Sequence, residues 1–267
     1  MKKFKTLKKI LAAFFVFCVF QTGSFAAAPQ QKLKPMILPD SAIQKINGAA
    51  APTQTKGQPK KKKKVELYTD KNGNPISKEQ KERMDSLKKT YKKVTKEERL
   101  IEALELMKGG LADFSRNAIL GNNLSEEPIS VNFEDLSKFG QAYANFDALG
   151  WKKKEKLYIY INKKHQDAPA PALAAVLAHE ALHQDEFNSL NEETYAWTME
   201  AAVWTQLSEK DPKYNDSMHP LVVRENTLKK LFIKGNYTNK FIKKTVYSNP
   251  GYANLPSRSP GFEDENL

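Results

Sequence analysis

Two of the chain's four histidines, His179 and His183, stand four residues apart in the stretch His179-Glu180-Ala181-Leu182-His183. On an α-helix, residues at that spacing lie on one face about a turn from each other, so both imidazoles can reach a single ion. Glu180 sits angled beside the pair, placed to contact a water next to such an ion rather than the ion itself. Two nitrogen ligands with an adjacent carboxylate are the residue types of metal-assisted hydrolysis. Carboxylates that could complete the ligand set follow closely, namely Asp185, Glu186, Glu192, Glu193 and Glu200.

The motif needs a helix, and the sequence predicts one. Pro169 and Pro171 suit a first turn, where a missing N–H costs nothing. Leu173, Val176, Leu177 and Leu182, with the alanines among them, surround most of the circumference to about Phe187. A helix apolar nearly all round is a buried helix. The ordinary alternative is two solvated histidines on a surface helix, and that apolar girth argues against it. Two imidazoles and a carboxylate buried unpaired would cost several kcal/mol, and a divalent cation removes that cost.

Ser189-Leu190-Asn191-Glu192 has the capping-box pattern, which commits Glu192 to Ser189 and opens a second helix through Glu193, Ala196, Trp197, Glu200 and Trp204. Glu200, two turns past Glu193, is placed to accept a histidine N–H. Trp197 and Trp204 read as core. Upstream, Val65 to Tyr68 and the turn cluster Asp70 to Pro75 predict a small hairpin. Capping boxes at Ser77 and Thr95 open a polar helix to about Lys93 and an amphipathic one (Leu100, Ile101, Leu104, Met107) that stops at Gly109-Gly110. Strands are expected at Ile129 to Phe133, Ala142 to Asp147 and Lys156 to Ile161, with Leu149 to Glu155 as the loop between the last two. Helical patterns recur around Leu221 to Ile233 and Asn239 to Tyr247, and the tail from Asn249 reads as irregular. The fold class is α+β.

His-Glu-Ala-Leu-His on a helix preceded by strands resembles the zincin superfamily of metallopeptidases. Two histidines with a downstream helical glutamate resemble its gluzincin branch, in a minimal form. The long metzincin pattern does not fit, because Glu186 and Ser189 stand where it needs glycine and a third histidine. The resemblance covers residues 95–210. It implies one zinc ion on His179, His183 and Glu193, because Glu193-Thr194-Tyr195-Ala196 is similar to the gluzincin ligand-helix pattern. Glu192 and Glu200 remain alternative ligands or second-layer acceptors. Further implications are Glu180 as general base, a peptide or protein substrate, and a substrate-binding edge strand at Ala144, Asn145 and Phe146. An oxyanion stabiliser is also implied, for which Tyr195, Tyr143, His219 and Arg224 are candidates. His219 is equally an ordinary loop residue before Pro220, and His165 is expected in solvent beside Lys163 and Lys164. Inactive zinc-binding scaffolds share this ligand pattern, but the presence of Glu180 argues for catalysis. The link from His183 to Glu193 is shorter than in thermolysin-like enzymes.

Residues 1–26 read as a secretory leader, with Lys2, Lys3, Lys5, Lys8 and Lys9, an apolar run from Ile10 to Phe20, and small residues ahead of Ala27. The run is short for a membrane span. Cleavage would lead to a periplasmic or secreted protein. The single cysteine, Cys18, lies in that leader, so no disulfide or thiolate ligand is expected after its removal. The net charge of +12 would fall to +7 without the five leader lysines. Its lysine runs read as solvated tails, with loose contact to an anionic envelope surface as the lesser reading, and they lack the interleaved aromatics that would stack on nucleic acid. Residues 27–64 are linker-like, 65–94 a hairpin plus polar helix, and 211–267 a helical extension.

Overall fold

A computed structural model describes residues 68–69, 73–122, 127–153, 156–183 and 187–260. The expected leader and linker, and Asp185 and Glu186, lie outside the described residues. Strands β1 (Tyr68–Thr69) and β2 (Pro75–Ile76) form an antiparallel hairpin that belongs to a separate unit. The residues from Lys78 onward form one unit of α+β architecture.

Its helices are α1 (Lys78–Tyr91), α2 (Glu98–Leu106), α3 (Asp113–Ile119), α4 (Ala170–Glu180), α5 (Leu190–Lys210), α6 (Pro220–Lys234) and α7 (Lys240–Tyr247). A three-stranded sheet has the order β3 (Ser130–Glu134), β5 (Lys156–Asn162), β4 (Ala148–Lys153). β3 runs parallel to β5 and β4 antiparallel to it. Among the described residues no helix is long and apolar enough to cross a membrane.

α4 is the centre of the core. All eleven of its residues are buried, and it packs against α5, α2, α3 and β4. Burial on every side is the outcome its all-round apolar sequence dictates. It stops being α-helical at Glu180, and the amides of Leu182 and His183 bond back three residues to the carbonyls of His179 and Glu180. That tightened last turn keeps His183 about one turn beyond His179. α5 begins where its capping residue demands, with Ser189 Oγ accepting from the Glu192 amide at 3.1 Å. The helix expected at Thr95 starts two residues later, because the Thr95 hydroxyl is spent on the Glu97 amide. α3 lies in a stretch where the sequence signalled no element.

The middle strand corrects the sequence reading. Ala144, Asn145 and Phe146 are not in an edge strand. The chain coils through two 3-10 turns, Leu136–Phe139 and Gln141–Tyr143. The carbonyls of Ala144 and Phe146 are then taken by the Asn162 side-chain amide, at 3.0 and 2.8 Å, rather than by a strand ladder. The strand that borders α4 is β4, and most of it was expected to be a loop. Trp151, Lys152 and Lys153 pair with Tyr158, Leu157 and Lys156, and Gly150 pairs with Ile159.

Candidate metal centre and cleft

α4 and α5 run side by side, so the end of one and the start of the other bring four acids to two histidines. His179 Nε2 lies 3.8 Å from Glu193 Oε2, and His183 Nε2 lies 3.6 Å from Glu193 Oε1. One donor atom from each of the three residues falls within 4.8 Å of the other two. Donors arranged tetrahedrally at about 2.1 Å around a zinc-sized ion stand about 3.4 Å apart, so small side-chain adjustments close the set.

Three observations show that the residues fit a cation. The outward nitrogens are already engaged, since His179 Nδ1 is 3.0 Å from Glu200 Oε2 and His183 Nδ1 is 3.2 Å from Glu192 Oε1. Ionised carboxylates only accept, so both Nδ1 atoms donate, and in the neutral rings both Nε2 lone pairs face the centre. Glu193 Oε1 accepts from Asn188 Nδ2 at 2.7 Å, whereas its buried Oε2 has no hydrogen-bond partner among the described residues. A buried carboxylate oxygen left unpaired is costly unless a cation meets it.

Without an ion, His183 supplies positive charge. Burial alone would depress the His183 imidazole, but the charge of Glu193, the hydrogen bond to Glu192 and the charges of Glu192 and Glu180 outweigh it and raise the pKa to about 10. Burial would raise Glu193, and the facing His183 and His179 charges, with the Asn188 hydrogen bond, hold it below the usual carboxylate range. Glu180 goes the other way. Burial pushes its carboxyl up, and the two histidines only partly oppose that.

Glu180 and His179 open on a cleft of about 240 Å³, with Phe146, Val176, Trp197 and Tyr252 on its apolar walls and Asn145, Asp147, Glu200, Arg224 and Asn249 among its polar ones. β4 closes up to the site at Gly150, where a Cβ atom would sit 3.3 Å from His183 Cβ and 3.5 Å from Glu180 Oε2. Behind the cleft Arg224 ties the acids together. Its Nη1 and Nη2 donate to the two Glu200 oxygens at 2.5 and 3.1 Å, Nη1 also donates to Glu225 at 2.9 Å, and Nε lies 3.3 Å from Asp147 Oδ2. The carboxyl of Glu200 would be raised by burial, yet the charges of Arg224 and then His179 hold it far down.

The sequence-derived candidates separate on this geometry. His179, His183 and Glu193 converge, Glu180 borders the cleft beside them, and Glu200 and Glu192 take the histidine N–H groups. Glu192 is therefore not limited to capping. Its amide completes the cap while its carboxylate holds His183. Arg224 lines the cleft, but its guanidinium is occupied by three acids, which makes it a positioning group for Glu200 and unsuited to an oxyanion. His219 caps α6, its Nδ1 accepting from the Leu221 amide at 3.1 Å, and its Nε2 lies 3.4 Å from Asp167. His219, Tyr195 and Tyr143 do not line the cleft. Asn145 and Phe146 do line it, as loop residues. His165 is buried, 3% exposed, rather than in solvent, because Asp147 draws its Nε2 to 2.7 Å. Trp204 is fully buried core, while Trp197 lines the cleft under the Arg224 guanidinium and edge-on to Tyr252.

Sequence reasoning missed Tyr252. Its hydroxyl accepts from the Trp197 indole N–H at 3.1 Å, and burial and then the Glu193 charge hold its proton on well beyond the usual phenol range. It comes from a short 3-10 turn, Pro250–Tyr252, whose spacing from the histidine motif carries no local signal. Comparison with protein-family models, with curated proteins and with solved structures yielded no match to this chain.

Proposed function

We propose that the chain is an exported zinc metallopeptidase of the gluzincin type, acting on a peptide or protein substrate. The observation that carries this reading is the convergence of His179 Nε2, His183 Nε2 and the unpaired Glu193 Oε2, with a different carboxylate behind each imidazole. A two-nitrogen, one-carboxylate set without cysteine suits zinc and leaves a ligand position open, as catalytic rather than structural sites do. Bound there, zinc supplies a Lewis acid and lowers the pKa of a water molecule.

The remaining steps belong to the chain. Glu180 takes the proton from the attacking water and returns it to the departing amine nitrogen, and its burial-raised pKa suits a group that must both hold and release a proton. Among the described residues β4 has a neighbour on one side only in its sheet, so its outer edge offers N–H and C=O groups to an extended substrate beside Glu180. Tyr252 takes the place of the oxyanion candidates read from the sequence, as a cleft-lining phenol that interacts with Glu193. Trp197, Phe146 and Val176 give the cleft an apolar surface for a substrate side chain.

The test is zinc content and peptidase activity of the mature protein, with Glu180→Gln and His183→Ala. About one zinc per chain in wild type and Glu180→Gln, lost in His183→Ala, with cleavage reduced about 100-fold or more in Glu180→Gln, supports the reading. A wild type without zinc refutes the metal centre. A zinc-loaded wild type that cleaves no peptide in a mixed-sequence library refutes catalysis and leaves a zinc-binding scaffold.

A further inference from the structure

The first amides of a helix have no partners within it and must be satisfied from outside. In α5 these are the amides of Ser189 to Glu192, just ahead of the ligand Glu193; Asn188 and Ser189 side chains take the first and last, and the segment that satisfies the two between them comes from the far end of the chain. The Leu190 amide donates to Pro256 O at 2.9 Å and the Asn191 amide to Ser257 O at 3.2 Å. Asn191 also accepts, through Oδ1, from the Tyr247 hydroxyl at 2.8 Å. The Glu192 amide is taken by Ser189 Oγ.

Ser259 completes the arrangement. Its neighbours Arg258 and Pro260 are exposed, yet Ser259 is 5% exposed and its side chain turns into α5. Its Oγ donates to Glu192 Oε2 at 2.9 Å and lies 2.9 Å from Ser189 Oγ. The Glu192 carboxylate accepts on both sides, from Ser259 on Oε2 and from His183 Nδ1 on Oε1. Because Ser259 spends its one proton on Glu192, Ser189 must donate to Ser259. The result is a closed circuit, Glu192 N–H to Ser189, Ser189 to Ser259, and Ser259 back to the Glu192 carboxylate. It fixes that carboxylate behind the His183 ring.

We propose that residues 256–259 form a strap belonging to the metal centre, with Ser259 as a positioning residue that sets metal affinity through Glu192 and His183. The inference rests on the metal-centre reading above. Groups that orient a metal-bound histidine from behind typically change affinity 10–100-fold when removed. Ser259 acts one bond further out, so its removal should fall near the lower end of that range.

The experiment measures zinc affinity of the full-length mature protein by competition with a chelator, for wild type, Ser259→Ala, Ser259→Thr, Glu192→Gln and the double variant Ser259→Ala/Glu192→Gln. Urea unfolding of each metal-free protein runs in parallel. The expected result is about 10-fold weaker binding in Ser259→Ala, recovery in Ser259→Thr, and no added loss from Ser259→Ala once Glu192 is Gln. The metal-free stabilities of Ser259→Ala and Ser259→Thr should differ much less than their zinc affinities. If Ser259→Ala does not fold, the Ser259→Thr and Glu192→Gln proteins still decide the matter, because a Glu192→Gln protein with wild-type affinity breaks the circuit. Unchanged affinity in a folded Ser259→Ala, or fully additive losses, overturns the inference while leaving the metal centre standing. A wild type that binds no zinc overturns both.

Discussion

Replacing Arg224 by Met keeps the length and apolar stem of the side chain and removes one buried charge. The structure indicates which of its three partners suffers. Glu225 is fully buried, and burial first, then the neighbouring Glu200 charge, raise its carboxyl well above the usual range, so it holds its own proton and loses one hydrogen bond. Asp147 keeps Lys164 at 3.2 Å and His165 at 2.7 Å, and its side chain is 27% exposed. Glu200 is 1% exposed, loses both bonds of a bidentate pair and retains no cation but His179, with the hydrogen bond from the protonated Glu225 carboxyl beside it. The cost is therefore close to that of orphaning one buried carboxylate, about 3–5 kcal/mol, with little added from Asp147. In a domain of this size that corresponds to a fall in melting temperature of about 6–20 °C. Urea unfolding of the metal-free protein, with chelator present throughout, reads the loss directly. Arg224→Met/Glu200→Gln should regain at least about 1 kcal/mol of it, because the second change removes the orphaned charge. A loss under about 1 kcal/mol, or a double variant less stable than Arg224→Met, would refute the view that the guanidinium neutralises Glu200.

Gly150→Val should weaken metal binding at His179, His183 and Glu193 about 10-fold or more with a smaller effect on metal-free stability, because added methyl groups drive into His183 and Glu180, and chelator competition with urea unfolding measures both. The acid limb of stability should depend on Asp147. Burial would raise its carboxyl, but the His165 hydrogen bond and then Arg224 and Lys164 depress it below 3.8, so its contribution is present above that value and disappears as pH falls through the depressed one. Asp147→Asn should thus be less stable than wild type at about pH 6 and approach it as the pH falls below 3.8. A gap that stays constant down to the lowest pH that can be measured would count against that cause.

The parts of the site that were legible in the sequence are those encoded by local spacing. His179 to His183 is a four-residue interval on a segment whose apolar residues face every direction, and burial of all of α4 follows from that. Ser189 marks the start of α5 through its own hydroxyl. Illegible parts fall into two physical kinds. β4 was hidden because Gly150 and the lysines from 152 to 154 have loop-like propensities, while an edge strand needs only one paired side, and its partner β5 supplied it. His165 was hidden because its neighbours Lys163 and Lys164 are polar and exposed, whereas Asp147, 18 residues away, decides its burial. The strap over α5 acts through the carbonyls of Pro256 and Ser257, which any sequence supplies, so side-chain types could not announce it.

The spacing on α5 explains why so few residues suffice. Glu192, Ala196 and Glu200 repeat every four positions and so form one stripe, with Glu193 beside its first member. The two ends of the stripe take the two histidines in reverse order, Glu192 with His183 and Glu200 with His179, which is the pairing antiparallel neighbours require. Ala196, fully buried between them, keeps the helices close enough for carboxylates on one to reach rings on the other. A larger side chain at 196 would separate both pairs at once, and a shift of Ser189 along the chain would turn the stripe away from α4. The nine residues between His183 and Glu193 therefore need no long insertion between the helices. They need a fixed starting point for α5, and Ser189 together with the strap at 256–259 provides it.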